Sequence, residues 1–139
     1  MGRPYALDVI TVEEVMTRNV ITVPSDMPIA ALEIMFEEYG HMGYPIVEKD
    51  RLVGIVTLSD VQKVPSEKRG ETRVIEIASK NLIVAYPDET MREALDKMYK
   101  HNVGRLPVVE RNNPQRIVGI ISKKDILRAF EIATGRIIE

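Results

Sequence analysis

The stretch GIVTLSD, residues 54–60, returns sixty-five positions later as GIISKKD, residues 119–125. Each copy reads glycine, two β-branched residues, a hydroxyl residue, two variable positions and an aspartate. Sliding the chain against itself extends the match in both directions, and self-similarity at a fixed period is a signal at the level of the fold. Val12 pairs with Val74, Asn19 with Asn81, Ala31 with Ala94, Pro45 with Pro107 and Asp60 with Asp125, at offsets of 62, 62, 63, 62 and 65. The changes in offset mark small insertions. The largest falls in the turn-forming stretch RNNPQ, residues 111–115, which is longer than its counterpart EKD, residues 48–50.

Composition narrows what such a repeat can be. The chain has 139 residues, enough for one domain with a sizeable core. Without cysteine it has no disulfide framework, thiolate metal site or cysteine nucleophile. Nineteen basic against twenty-one acidic residues give a net charge of −2, so general electrostatic attraction to nucleic acid is not expected. The apolar runs are far shorter than the ~20 residues of a membrane-spanning helix, and the opening MGRPYALD lacks a signal peptide's apolar centre. A cytoplasmic protein without membrane insertion is the expectation.

Each copy has a readable local grammar. IAALEIMFEEY sets Ile29, Leu32, Met35, Phe36 and Tyr39 on one helical stripe, with Gly40 as its stop. The second copy opens with Thr90-Met91-Arg92-Glu93, a capping-box pattern, and continues the stripe through Leu95, Met98 and Tyr99. VITV, YPIVE and LVGIVT, like LIVAY, LPVVE and RIVGII, are short and β-branched and read as strands. The helical crossover predicts parallel pairing of the first two strands, and the short turn an antiparallel third. The boundaries are an N-terminal extension over 1–10, repeat 1 over 11–64, a linker over 65–72, repeat 2 over 73–130 and a tail over 131–139. One copy of ~60 residues is marginal alone, which predicts two copies sharing a core.

With this order of elements, the YPIV and LPVV strand openings and the doubled G-h-h-[ST]-x-x-D phrase, residues 11–130 resemble a tandem pair of cystathionine-β-synthase (CBS) domains. The resemblance implies an α+β fold of two repeats, each β-α-β-β-α with a lead-in helix, packed by approximate two-fold symmetry. It implies a homodimer and a regulatory, non-catalytic module. Such a module binds AMP, ADP, ATP or S-adenosylmethionine as effector in clefts between the repeats and signals to a regulated partner protein. The alternative is an interaction or dimerisation module with unused clefts, such as the regulatory tail of a membrane channel or intramembrane protease.

The repeated phrase has its own chemistry. A glycine within a strand, Gly54 or Gly119, marks a bulge or a close approach to the backbone. The following helix start offers free N–H groups to an anion, with a hydroxyl from Thr57 or Ser122. Asp60 or Asp125, as carboxylates, can accept hydrogen bonds from the vicinal hydroxyls of a ribose. The competing reading is that each Ser/Thr-x-x-Asp is a helix cap and nothing more.

From the resemblance, the base would lie among Thr17 to Ile21 or Lys80 to Ile83, the residues Met42 and Gly43 or Val103 and Gly104, and Ile55 or Ile120. Each of these is also compatible with ordinary core, and Gly43 and Gly104 with turns of positive φ. Arg105 stands where family members often carry a phosphate-facing cation. Lys123 and Lys124 adjoin Asp125, so its cleft is expected to favour phosphorylated ligands, whereas Asp60 would depend on Arg105. No metal site is expected, since His41 and His101 lie in no ligand-spaced pattern.

Overall fold

The computed structural model describes residues 6–135. In chain order it builds single-turn helices α1 (Ala6–Val9) and α2 (Val12–Val15), helix α3 (Ile29–Tyr39), strands β1 (Gly43–Glu48) and β2 (Arg51–Thr57), and helix α4 (Leu58–Gln62). A 3-10 turn at Ser66–Lys68 leads to single-turn helix α5 (Val74–Ile77), helix α6 (Met91–His101), strands β3 (Arg105–Glu110) and β4 (Asn113–Ser122), and helix α7 (Lys123–Ala133). The expected mixture of helix and strand is present, with one two-stranded antiparallel sheet in each repeat.

Local chemistry sets the ends of these elements. Helix α3 stops at Gly40, whose φ of 70° is left-handed and whose N–H reaches the Phe36 carbonyl. Helix α6 starts on the expected box: Thr90 Oγ1 accepts from the Glu93 N–H, and the Thr90 N–H donates to Glu93 Oε1, both at 3.1 Å. Between β1 and β2, Lys49 and Asp50 both have positive φ, 49° and 64°, as a tight two-residue hairpin requires. The second hairpin differs from the sequence expectation. Only Arg111 and Asn112 turn, while Asn113, Pro114 and Gln115 enter β4, and the extra length is absorbed by register shifts at Val108/Val109 and Val109/Glu110.

The expected first strands shrink to single parallel bridges, Val23 with Ile46 and Ala85 with Val108. Pairing is in the predicted sense but cannot propagate. Pro24 and Pro87 follow closely and have no N–H to donate to a ladder.

The compact units do not follow the repeat boundary. One unit joins the residues up to Val20 with those from Ile83 onward; the other is continuous from Ile21 to Leu82. We call them unit 1 and unit 2. The lead-in of the first repeat therefore packs on the body of the second: Val12 donates to the Glu89 carbonyl at 2.7 Å, Met91 donates to Ile10, and Val12 is wholly buried. The second lead-in does the converse, with Val74 wholly buried and its N–H on the Met27 carbonyl at 2.8 Å.

Each unit consequently has its own core, and each core draws residues from both repeats. Val12, Met16, Met91, Met98, Leu106 and Ile121 belong to the cluster of unit 1. Ile29, Leu32, Tyr44, Ile46, Val56 and Val74 belong to that of unit 2. Full burial of one such valine contributes ~1.5–3 kcal/mol, so a borrowed lead-in is a substantial part of a small core. The helical stripes stop short of their last members. Tyr39 is half exposed and Tyr99 is 69% exposed, its ring carrying Lys123 Nζ at 4.7 Å from the centroid.

Candidate functional site

The two copies of the repeated phrase end β2 and β4 and begin α4 and α7. Their glycines serve close approach by the chain itself. A Cβ at Gly119 would lie 2.5 Å from Met16 Sδ and 3.0 Å from the Thr17 carbonyl oxygen; one at Gly54 would lie 3.2 Å from the Ser79 carbonyl oxygen. Both glycines also border a register shift, at Val108/Val109 and Ile46/Val47. The narrow passage admits a lead-in backbone. Thr17 and Ile120 exchange N–H···O bonds of 2.9 Å in unit 1, and Ser79 and Ile55 exchange bonds of 3.0 Å in unit 2.

The hydroxyls and aspartates form complete capping boxes. Asp60 N donates to Thr57 Oγ1 at 3.2 Å and Thr57 N to Asp60 Oδ2 at 2.9 Å. The corresponding distances at Ser122 and Asp125 are 3.1 and 3.0 Å. Both aspartates are half-buried, and Oδ1 of each takes no part in its box. An ionised carboxylate oxygen of that kind can accept further hydrogen bonds.

Fewer backbone donors are free than the sequence suggested. Lys123 N donates to the Gly104 carbonyl and Leu58 N to the Met42 carbonyl, each at 3.0 Å, while Asp125 N and Asp60 N are used by the caps. Charge recognition at these junctions therefore falls chiefly to side chains.

Strand register aligns the two sites residue by residue. Arg105 faces Ser122, and Gly43 faces Thr57, so Gly43 is the counterpart of Arg105 and Met42 that of Gly104. Neither Gly43 nor Gly104 has a positive φ, which removes the turn explanation for them. The Arg105 guanidinium is half-buried, and burial lowers its pKa from the ordinary arginine value while leaving it cationic. Among the described residues it has no ion-pair partner. Lys124, next to Asp125 in the chain, is exposed, and Lys123 is held over Tyr99.

Unit 1 thus brings together Thr17, Gly104, Arg105, Ile120, Ser122, Lys124 and Asp125, with Val103 against its core. Unit 2 contains Met42, Gly43, Ile55, Thr57, Asp60 and Lys80. Ile83 packs against the core of unit 1 and Ile21 against that of unit 2, each in a different unit from the Lys80 or Thr17 end of its own segment. Ser79 was missed, although it lies 62 positions after Thr17, the offset that recurs through the repeat. Met16 and Ala78, which floor the two glycine passages, carry no signal beyond ordinary apolar character.

Among the described residues no group of three or more His, Asp or Glu side chains is placed to hold a metal ion, and no helix is long and apolar enough to cross a membrane.

Two glycine-gated strand-to-helix junctions, each closed by the other repeat's lead-in, define a tandem α+β pair. The profile of the CBS domain matches residues 12–67 and 74–132, and the chain belongs to that family. It is similar to the inosine-5′-monophosphate dehydrogenase of Methanocaldococcus jannaschii, 36% identical over 117 residues, or 84% of this chain and 23% of the enzyme. It is likewise similar to the homoserine O-acetyltransferase of Methanococcoides burtonii, 37% identical over 121 residues, or 85% of this chain and 24% of that protein. The chain thus spans about a quarter of either enzyme's length.

Among solved structures, a CBS domain pair in complex with 5′-methylthioadenosine and S-adenosyl-L-methionine has a TM-score of 0.77 and 29% identity, covering 91% of this chain and 98% of that one. A conserved protein from Pyrococcus horikoshii has a TM-score of 0.79 and 27% identity, covering 92% and 57%.

Proposed function

We propose that the chain is a regulatory, non-catalytic module that binds adenosine-containing effectors, AMP, ADP, ATP or S-adenosylmethionine, at the two strand-to-helix junctions. The observation that carries this reading is the disposition of Asp125 and Asp60: each caps its helix through Oδ2, and Oδ1, outside the box, is the acceptor this reading assigns to a ribose diol. Thr17 with Ile120, and Ser79 with Ile55, supply backbone beside the junction for the edge of a purine, and Arg105 and Lys124 supply charge for phosphate. The relative solved with two adenosyl compounds supports the ligand class.

An effector held this way touches elements of both sequence repeats within one unit. A partner protein then reads the shift in conformation, which is bounded by the ligand's differential affinity for the two states. A ligand of roughly 23 heavy atoms at ~0.3 kcal/mol per atom gains about 7 kcal/mol, a dissociation constant near ~10 μM.

The test is a thermal-shift panel of AMP, ADP, ATP, S-adenosylmethionine and NAD. At a hundredfold excess over the dissociation constant, binding to the folded state adds ~2.7 kcal/mol and raises the melting temperature. The complete capping boxes favour one rival reading, in which the aspartates only cap and the module is purely an interaction element. Absence of a shift with every compound at millimolar concentration would establish that rival.

A further inference from the structure

The strand register makes the two junctions comparable residue by residue, and their charges differ at three positions. In unit 1 the strand start and the first two helical residues are Arg105, Lys123 and Lys124; in unit 2 the same places hold Gly43, Leu58 and Ser59. At these three places unit 1 has three basic residues, of which Lys123 is held over Tyr99, and unit 2 has none. The lead-ins add one basic residue to each unit. Arg18 and Lys80 follow Thr17 and Ser79 at equivalent places in the lead-ins, and Arg18 lies 3.7 Å from Glu13 Oε1. Lys63 caps the far end of α4, and His41 packs edge-on against the Tyr44 ring at 5.8 Å.

A second difference concerns shape and polarity. Where unit 1 has Gly104, unit 2 has Met42, an apolar thioether side chain that is 52% exposed and adjoins the strand start. A phosphate at this place would meet Asp60 with no cation from the strand start or the first helical turn. A thioether or sulfonium group would meet an apolar, polarisable side chain and one negative charge.

Taking the adenosyl reading as its basis, we infer that the two sites sort ligands by the charge of the 5′ substituent. Unit 1 takes a phosphorylated adenosyl ligand through Arg105 and Lys124. Unit 2 takes an adenosine whose 5′ substituent is non-anionic, a thioether or sulfonium, packed on Met42. The chain then responds to two different metabolite classes, one at each junction.

The experiment is calorimetric titration of the full chain with AMP and with 5′-methylthioadenosine, on the wild type and on Asp125→Asn and Asp60→Asn. The asparagines keep a carbonyl oxygen for the cap and remove the charge that orders the ribose hydroxyls. Asp125→Asn should weaken AMP by at least about tenfold and leave 5′-methylthioadenosine within about twofold; Asp60→Asn should do the reverse. Raising sodium chloride from 50 to 500 mM should weaken AMP alone. In the Asp125→Asn background, Leu58→Lys with Ser59→Lys should recover AMP binding at unit 2.

Loss of both ligands in the same variant, equal losses in both variants, salt sensitivity of both ligands, or no recovery with the added lysines would overturn the sorting while leaving the adenosyl reading intact. Failure of the wild type to bind either compound at millimolar concentration would overturn the adenosyl reading itself, and the sorting with it.

Discussion

Met16 occupies the space that a side chain at position 119 would need, with Sδ 2.5 Å and Cγ 3.0 Å from the place of a Cβ. Gly119→Ala should therefore destabilise unit 1 by about 1–3 kcal/mol, the usual range for overpacking. Gly54→Ala meets the Ser79 carbonyl at 3.2 Å, the Ala78 Cβ at 3.4 Å and Ile46 Cδ1 at 3.6 Å, and should be the milder of the two. Shortening Met16 to alanine opens the crowded space, so the loss in Met16→Ala/Gly119→Ala should be smaller than the sum of the single losses. Urea denaturation of the four variants checks this, and additivity would show that Met16 is not what excludes a side chain at 119.

Capping and ligand binding can be separated at one junction. Ser122→Ala removes the acceptor for the Asp125 N–H and should lower stability by ~1 kcal/mol, with AMP affinity changing less than about threefold. Asp125→Ala also breaks the cap but removes the ribose acceptor, so it should weaken AMP by at least about tenfold. Paired melting and titration experiments decide between the roles: matched affinity losses in the two variants would make the aspartate a cap alone.

Glu89 is the buried acidic residue of unit 1, and it is tied on both sides. Its Oε1 accepts from the Tyr86 N–H and from Lys97 Nζ, both at 2.7 Å, while Lys97 also donates to the Val84 carbonyl at 2.9 Å. Hydrogen bonds to charged groups contribute ~1.5–3 kcal/mol, and loss of Lys97 leaves the carboxylate underpaired. Lys97→Ala should thus cost about 2 kcal/mol in urea unfolding, whereas Arg111→Ala, which with its partner Asp88 is exposed, should be nearly neutral. A larger loss from Arg111→Ala would show that the surface pair, not the buried one, anchors the segment before α6.

Much of this was legible because each signal was local. Gly40 stops α3, Thr90 and Glu93 box α6, and Ser122 with Asp125 announce their cap within four residues of chain. What the sequence did not disclose is which partner a segment chooses. Val12 and Val74 look the same in the repeat, and nothing in their neighbourhoods says that each is buried in the other copy's body. Register sets Gly43 in Arg105's place, as the offset of 62 between Pro45 and Pro107 already implied, so unit 2 has no cation at its strand start, where the sequence reading had Asp60 depend on Arg105. Lys123 stands two residues before Asp125 in the chain, yet its ammonium lies over Tyr99, a pairing set by the packing of α6 and α7.

The exchange of lead-ins makes the boundaries of a foldable fragment a sharp test. Residues 21–82 contain a whole core, from Val23 and Ile29 through Val56 to Val74, together with the Ser79–Ile55 pair. A fragment of residues 11–64 follows the sequence repeat instead, and it keeps the body of unit 2 while losing Val74, Ile75, Ile77 and Ala78 from its core. The missing apolar contacts, at ~25 cal/mol per Å² of buried apolar area, weigh heavily in a chain of ~60 residues with only a few kcal/mol of net stability. The 21–82 fragment should therefore unfold cooperatively in urea, with dispersed amide resonances in water, and the 11–64 fragment should not. If the 11–64 fragment proved the more stable, the lead-in at α5 would not be part of the folding unit.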